Sequence, residues 1–491
     1  LLAVLLLNPP DTATDDPDTS TMSDDGKVTV LADKRVADDS DIVPIKKLHI
    51  ATPLDSFTLS PNVDGDLQLE DCTDLPRNSS MIADLVETLS LVETEKTVVE
   101  KPENPSDFGF DHPMASVDIT YHDDETLQFD LCALPLGSDS GYYLRVKDTE
   151  PIYLVSADLG DAVLQEKTLY VGINLFTSPN IKDSDTNGTI VLKELSLSGS
   201  MRDKIVTMQK WNTALGSEYE GTSDYVMTAP YYVDVDQQSA NAITNALTLM
   251  ADAVVAIHPT DEQLAEYGLD KPVSVAKIVT AVYTYTTDSD DKVTSDSFYD
   301  ERTNLVLLGK TDEDGNYYAK VNALDAVYLL SPDSVPWATS TYNDLASNYM
   351  FLRKITNLKN ITCIVNGQTY SFDMAHKPEE EELDDQLVVT MDGKQYDTDD
   401  FRTLFQVLMT VPRTGDATAS PTGDPTLVVQ LTPVDSNHRT LEISLYKKSA
   451  SVYICQTSTG DLYRTSASRV DYTLEQIDNY LNGRPVYRGN Y

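Results

Sequence analysis

The chain has 491 residues, 80 acidic against 36 basic, and a formal charge of -44 at neutral pH. A surface this anionic repels phosphate backbones and anionic headgroups, which excludes nucleic acid as a partner, while a hydrophobic content of 41% is enough for packed cores and excludes global disorder. Four cysteines with no C-x-x-C pair exclude a disulfide-built scaffold and a thiolate metal site. Cys72, Cys132, Cys363 and Cys455 are expected as buried free thiols, the alternative being one bridge per module in an oxidising compartment.

Residues 1–44 read as the end of an apolar anchor or signal segment, Leu1 to Leu7, followed by an acidic tether rich in Pro and Thr. A membrane attachment through this segment is expected, with the remainder extracytoplasmic. The first Cys is Cys72, far from the apolar residues, which speaks against a lipid anchor.

Residues 45–165 form the first expected module. Alternating runs at Lys47–Ile50, Ser56–Ser60 and Leu67–Leu69 read as strands, then Met81, Ile82, Leu85, Val86 and Leu89 recur at helical spacing behind Asn78 or Ser79 as cap. Phe108-Gly109-Phe110-Asp111-His112-Pro113 breaks the chain before strands near Ser116–Tyr121 and Thr126–Leu134. Tyr142–Val146 and Pro151–Val155 then read as two short strands around a polar turn.

The second module, residues 166–343, repeats this order. Lys193–Leu197 opens it, Tyr225–Met227 follows, and Ala242, Ile243, Ala246, Leu247 and Met250 mark a helical stripe. Tyr267-Gly268-Leu269-Asp270-Lys271-Pro272 matches the first module's Phe-Gly-Phe-Asp-His-Pro, the Gly ending a helix at positive φ and the Pro preventing its continuation. An insertion beginning at Thr287 reads as a long solvated hairpin loop.

In the third module, residues 344–491, Asn366-Gly367 joins two strands, the acidic run Glu379 to Asp385 precedes Leu387–Val389, and Phe401, Leu404, Phe405 and Leu408 form a helix capped by Thr398 or Asp399. Strands Thr426–Leu431 and Thr440–Tyr446 precede the last hairpin, and a terminal helix through Leu474, Ile477, Tyr480 and Leu481 stops at Gly483. The tyrosine pairs 143/153, 318/328 and 453/463 share one ten-residue spacing. The fold class expected is α+β, a tandem repeat of three modules, each an antiparallel sheet with one packed helix.

On the patterned helix, Tyr267 to Pro272, Leu307-Leu308-Gly309 and the Tyr317 to Tyr328 hairpin, the chain resembles the bacterial family of domain of unknown function 4340, best over the first two modules. The third has Pro421-Thr422-Gly423-Asp424-Pro425 in place of the Gly-Leu-Asp-x-Pro element. The resemblance implies a membrane-anchored extracytoplasmic protein, in some members associated with gliding-type or other ABC transporter systems, and it brings no catalytic residues.

One local pattern carries metal chemistry. Asp183-Ser184-Asp185-Thr186-Asn187-Gly188 with Glu194 fits the EF-hand loop, whose hard Ca2+ wants six to eight oxygens. Asp183, Asp185, Asn187, the Thr189 carbonyl and Glu194 would supply them. Pro179 before the loop and a strand after it favour instead an acidic Asn-Gly turn. Gly309-Lys310-Thr311 lacks the first Gly of a phosphate loop, Gly137-Ser138-Asp139-Ser140-Gly141 has Asp where a nucleophile elbow needs Ser, and the six histidines form no H-x-x-x-H pair. Trp211 and Trp337 are core residues or ligand platforms, core being favoured.

No cofactor other than calcium is indicated. Two functional classes follow: a non-enzymatic membrane-tethered structural or interaction protein, accessory to an ABC transporter or envelope complex, or a surface module binding or hydrolysing glycan or peptide. The second needs a cleft lined by aromatic residues and carboxylates.

Overall fold

The computed structural model describes residues 28–37, 42–134 and 141–489, apart from residues 184, 186, 217, 218, 246, 288–292, 350, 378, 381–385 and 436–438. The apolar segment at Leu1 to Leu7, most of the tether, the Gly137 to Ser140 run, and parts of the Thr287 insertion and of the acidic run from Glu379 lie outside the described residues. The described chain is mixed α and β, mostly strand, with seven α-helices and antiparallel sheets of two, eight, nine and nine strands. It divides into two units, residues 1–172 and 173–491, so the stretches expected as second and third modules lie, from residue 173 on, in one unit.

In the first unit the eight strands lie in the order Leu67–Leu69, Ser56–Pro61, Ile45–Ala51, Ala115–Tyr121, Thr126–Ala133, Tyr142–Val146, Ile152–Val155, Lys96–Val99. Helix α1, Ser79–Ser90, is capped by the Asn78 side chain and buries Ile82, Leu85, Val86 and Leu89, as the 3.6-residue spacing predicts. The sheet reaches it directly, the Tyr121 hydroxyl donating to the Leu89 carbonyl at 3.1 Å. Helix α2, Ala157–Val163, follows the hairpin, and its Asp161 accepts from the Tyr142 hydroxyl at 2.6 Å.

The second unit holds two nine-stranded sheets. One runs Val233–Asp234, Tyr225–Ala229, Val206–Lys210, Thr189–Ser198, Ser274–Thr287, Val293–Thr311, Tyr317–Val321, Ala326–Leu330, Ala253–Ile257. The other runs Lys394–Tyr396, Leu387–Met391, Gln368–His376, Leu358–Val365, Leu427–Pro433, Leu441–Lys447, Val452–Thr457, Leu462–Ser466, Gly415–Asp416. The first carries α3, Gln237–Thr244, and α4, Asp261–Glu266, and α5, Tyr342–Leu345, lies between the sheets in sequence. The second carries α6, Thr398–Met409, and α7, Ala467–Leu481. The α6 cap is Asp397, one residue before the expected Thr398, its carboxylate accepting from the Asp400 N–H at 2.8 Å.

Helix α3 is shorter than its apolar stripe predicts. It ends at Thr244, Ala242 is exposed, and Met250 is 56% exposed. The reason is a competing pairing: the Leu175 N–H donates to the Leu249 carbonyl at 3.0 Å and the Ala251 N–H to the Ile173 carbonyl at 2.9 Å. The segment is thereby extended, so Leu249 and Ala251 turn inward and Met250 outward, a period of two where the spacing suggested 3.6.

The three tyrosine hairpins all form, but not in one register. Tyr153 lies opposite Leu144 and Tyr328 opposite Ala319, whereas Tyr463 lies opposite Cys455, so the third turn is one residue shorter. A one-residue slip exchanges the faces of a strand. Tyr143 and Tyr318 therefore sit on the sheet face away from the main helix, while Tyr453 is buried in the core with Phe401, Leu404 and Tyr480.

That outer face explains the Gly-centred motif. Phe108 meets Tyr143 edge-on at 5.3 Å, and Phe110 packs with Val98, Cys132 and Ile152. In the second unit Tyr267 lies 4.6 Å from Tyr318, and Leu269 packs with Ala256 and Val327. Gly109 at φ 90° and Gly268 at φ 73° reverse the chain so that both flanking side chains reach the sheet.

Candidate functional site

In the second unit, segment 345–349 bonds to both sheets. The Asp236 N–H donates to the Leu345 carbonyl and the Ser347 N–H to the Asp234 carbonyl, each at 2.8 Å, and on the other side the Arg413 N–H donates to the Asn348 carbonyl at 2.6 Å. Two ion pairs are buried along this seam. Arg353 Nη1 donates to Asp234 Oδ1 at 2.6 Å, with side chains only 1% and 3% exposed, and the Leu352 N–H donates to Asp234 Oδ2 at 2.6 Å. Arg413 Nη2 donates to the Asp461 carboxylate and, at 3.3 Å, to the Tyr342 hydroxyl. Its guanidinium lies 5.2 Å from the Tyr342 ring and 4.5 Å from the Tyr463 ring.

Burial pushes the Tyr342 and Tyr463 phenols up. Burial alone would pull the Arg413 guanidinium down, but Tyr342 and Asp461 beside it raise it instead. Asp461 and Tyr342 also stand, with Tyr231 and Lys204, in the walls of a cleft of 610 Å3. In its wall burial keeps the Tyr342 phenol protonated near neutrality, and Asp461 is paired with Arg413. Carboxylate shifts elsewhere, at Asp71, Asp300 and Asp312, run downward: Lys167 offsets burial at Asp71, the Asn180 N–H bonds Asp300, and Asn316 bonds Asp312. A general acid needs the opposite shift.

The calcium pattern is only partly assembled. Asp185 Oδ1 accepts from the Asn187 N–H at 3.3 Å and Oδ2 from the Tyr299 hydroxyl at 2.9 Å, with exposed Asp183 in the same turn. Thr189 begins the strand Thr189–Ser198, and Glu194 lies within it, bound to Lys277 Nζ at 3.0 Å. Five residues of extended chain separate Thr189 from Glu194 by roughly 17 Å, so the strand carries the last ligand away from the turn. Among the described residues no group of three or more His, Cys, Asp or Glu side chains is placed to hold a metal. Calcium at this turn would rest on Asp183, Asp185 and Asn187, so Glu194→Gln is expected to leave any calcium-dependent melting shift unaltered; loss of the shift would mean that the strand rearranges.

All four cysteines are free and buried. Burial, with Asp71 adding to it, pushes the Cys72 thiol up to about 12, and burial pushes Cys132 to about 11 and Cys363 to about 12. Since the thiolate is the nucleophile, native protein is expected to resist aromatic disulfide reagents at mildly alkaline pH until denatured. Fast labelling of any one thiol would contradict this. A raised acid stabilises the fold fully below its ordinary value of 9.0, and for Cys132 that contribution disappears as pH rises through about 11.

Sequence reasoning missed the seam residues. Their signal is isolated charge in apolar surroundings, Asp234 between Val233 and Val235 and Arg353 after Phe351-Leu352, which marks a residue that must find a partner when buried. Trp337, 1% exposed, is core as expected.

These features define a protein of antiparallel sheets in which a buried ion pair ties the edge strand Val233–Asp234 of one sheet to the segment leading into the other. Residues 68–187 and 226–418 match the family described as domain of unknown function (DUF4340), and together they exceed half of the chain; the chain belongs to that family. No curated protein and no solved structure matches it.

Proposed function

We propose that this chain is a non-enzymatic structural or interaction protein, tethered to a membrane on the extracytoplasmic side by its N-terminal segment and acting as accessory to an ABC transporter or envelope complex. The observation that carries this reading is the use of buried charge: Asp234 of one sheet pairs with Arg353 on the segment leading into the other, and Arg413, paired with Asp461 beside the second sheet, bonds the Tyr342 hydroxyl between them. The tether rests on the apolar start and acidic linker in the sequence. No helix among the described residues is long and apolar enough to cross a membrane.

The architecture favours three tandem copies of one module. In each large sheet the strands before the main helix run outward from the centre to one edge, the strand after the helix takes the opposite edge, and the remaining strands fill the space between. Within the first unit, Gly172 N–H bonds the Pro76 carbonyl just before α1, as Ser347 N–H bonds Asp234 just before α3 in the second.

Crosslinking the full-length protein in native membranes, followed by an alkaline wash, tests the reading. Retention in the washed membrane and discrete crosslinks to transporter or envelope subunits are expected. Recovery in the soluble fraction would overturn the tether, and substrate turnover abolished by a substitution in a cleft would overturn the non-enzymatic assignment.

A further inference from the structure

We propose that a second cleft in unit two, of about 410 Å3 and distinct from the seam cleft, binds a neutral pyranose oligosaccharide. This goes beyond the scaffold reading and stands or falls separately from it. The cleft brings together Trp211, Tyr283 and Tyr285 with Glu220, Asp224 and Lys354.

The aromatic surfaces are fixed before any ligand arrives. Trp211 donates its backbone N–H to the Asp224 carbonyl at 2.8 Å and its indole Nε1–H to the Gly216 carbonyl at 3.2 Å. Tyr283 and Tyr285 stack at 5.6 Å with 27° between ring planes, and the Tyr283 hydroxyl donates to Asp296 Oδ2 at 3.1 Å. Tyr285 is 44% exposed, so an apolar ring face remains in water beside the cleft. Side chains already locked in place lose little entropy on binding.

The polar surfaces are equally set. Glu220 accepts from Lys354 Nζ at 2.5 Å and from Asn357 Nδ2 at 2.8 Å. Gly221 forms bare floor because a Cβ there would stand 2.8 Å from Asp234 Oδ1 and 3.2 Å from Arg353 Nη1, the buried pair lying directly behind it. A side chain at position 221 is thereby excluded.

The ligand class follows from charge and shape. Two carboxylates, Glu220 and Asp224, are balanced by two ammonium groups, Lys210 and Lys354, in a chain that carries -44 overall. A polyanion is repelled by the whole molecule, and the balanced lining gives a small ion no net attraction. A pyranose suits the site: its C–H faces cover aromatic rings, and its hydroxyls both donate to carboxylates and accept from ammonium groups.

The chain contains two tryptophans, and Trp337 is buried, so a ligand-induced change in emission reports on Trp211. The full chain should be titrated separately with cellohexaose, chitohexaose and maltohexaose. A saturable emission change with at least one is expected, weakened about tenfold or more in Tyr285→Ala. It should be unchanged in Tyr487→Ala, which removes a tyrosine 64% exposed outside the cleft lining, and both variants should melt as the parent does. No saturable change with any of the three, or an unaltered affinity in a folded Tyr285→Ala, would overturn the proposal. A saturable response to an aromatic peptide without any glycan response would overturn it as well and assign the cleft to peptide.

Discussion

Asp234→Ala is expected to lower the unfolding free energy of the second unit by about 3–5 kcal/mol, because removing one partner of a buried pair leaves the other charge uncompensated. Arg353 is 1% exposed, and its Nε and Nη2 already have no partner among the described residues. Losing Asp234 would strand the Leu352 N–H and leave Nη1 only the Leu352 carbonyl at 3.3 Å. A domain is stable by only about 5–15 kcal/mol, so a loss of that size shifts urea denaturation strongly. The exposed pair Lys46–Asp124 supplies the contrast, its side chains being 56% and 73% exposed. Lys46→Ala, on the strand Ile45–Ala51, should cost at most about 1 kcal/mol. Replacing both members of the buried pair, as Asp234→Leu with Arg353→Met, should recover much of the loss, since apolar residues of similar size carry no desolvation penalty. Equal effects of Asp234→Ala and Lys46→Ala would show that water reaches the seam.

Gly309→Ala should cost about 3 kcal/mol, at the upper end of overpacking. A Cβ at Gly309 would stand 2.1 Å from the Tyr267 carbonyl oxygen, a backbone atom that no rotamer change can move. That oxygen also accepts from the Lys310 N–H at 2.9 Å, so relief requires breaking the bond that holds the Tyr267 turn to the strand. The Tyr267–Tyr318 stack would separate with it, which near-ultraviolet circular dichroism would register. Gly315→Ala is the matched control: nothing lies within 4 Å of its Cβ position, and only its φ of 91° resists a side chain. Left-handed strain of that kind is worth about 1–2 kcal/mol. A smaller loss at Gly309 than at Gly315 would mean that the turn is not pinned to the strand.

Gly309 also shows how far a local motif could be understood before the fold was known. Leu307-Leu308-Gly309 and Tyr267-Gly268-Leu269 are recognisable as family elements, and the helix-ending role of Gly268 follows from its neighbours. Their contact does not, because the two lie some forty residues apart and meet only when the strand Val293–Thr311 passes the end of α4. The candidate calcium loop shows the reverse case. Its spacing is complete in the sequence, yet the spacing alone is silent on the strand that the repeat order places after Gly188, and it is that strand, Thr189–Ser198, that carries Glu194 away from the turn.

The sequence by itself determined the local structure: the caps and buried stripe of α1, the stripes of α6 and α7, the Asn366-Gly367 hairpin, the three tyrosine hairpins and the anionic surface. Each depends on residues within a few positions of one another, where propensity, periodicity and turn chemistry act directly. Tertiary structure alone decided the length of α3, where bonding to 173–175 turned helical spacing into an extended segment with a single bridge; the face of Tyr453, where one residue fewer in a turn exchanged inside for outside; and the partners of Asp234, Arg353, Arg413 and Asp461. Those outcomes depend on which distant segments compete for the same backbone groups and buried charges, and that competition is resolved only when the sheets come together.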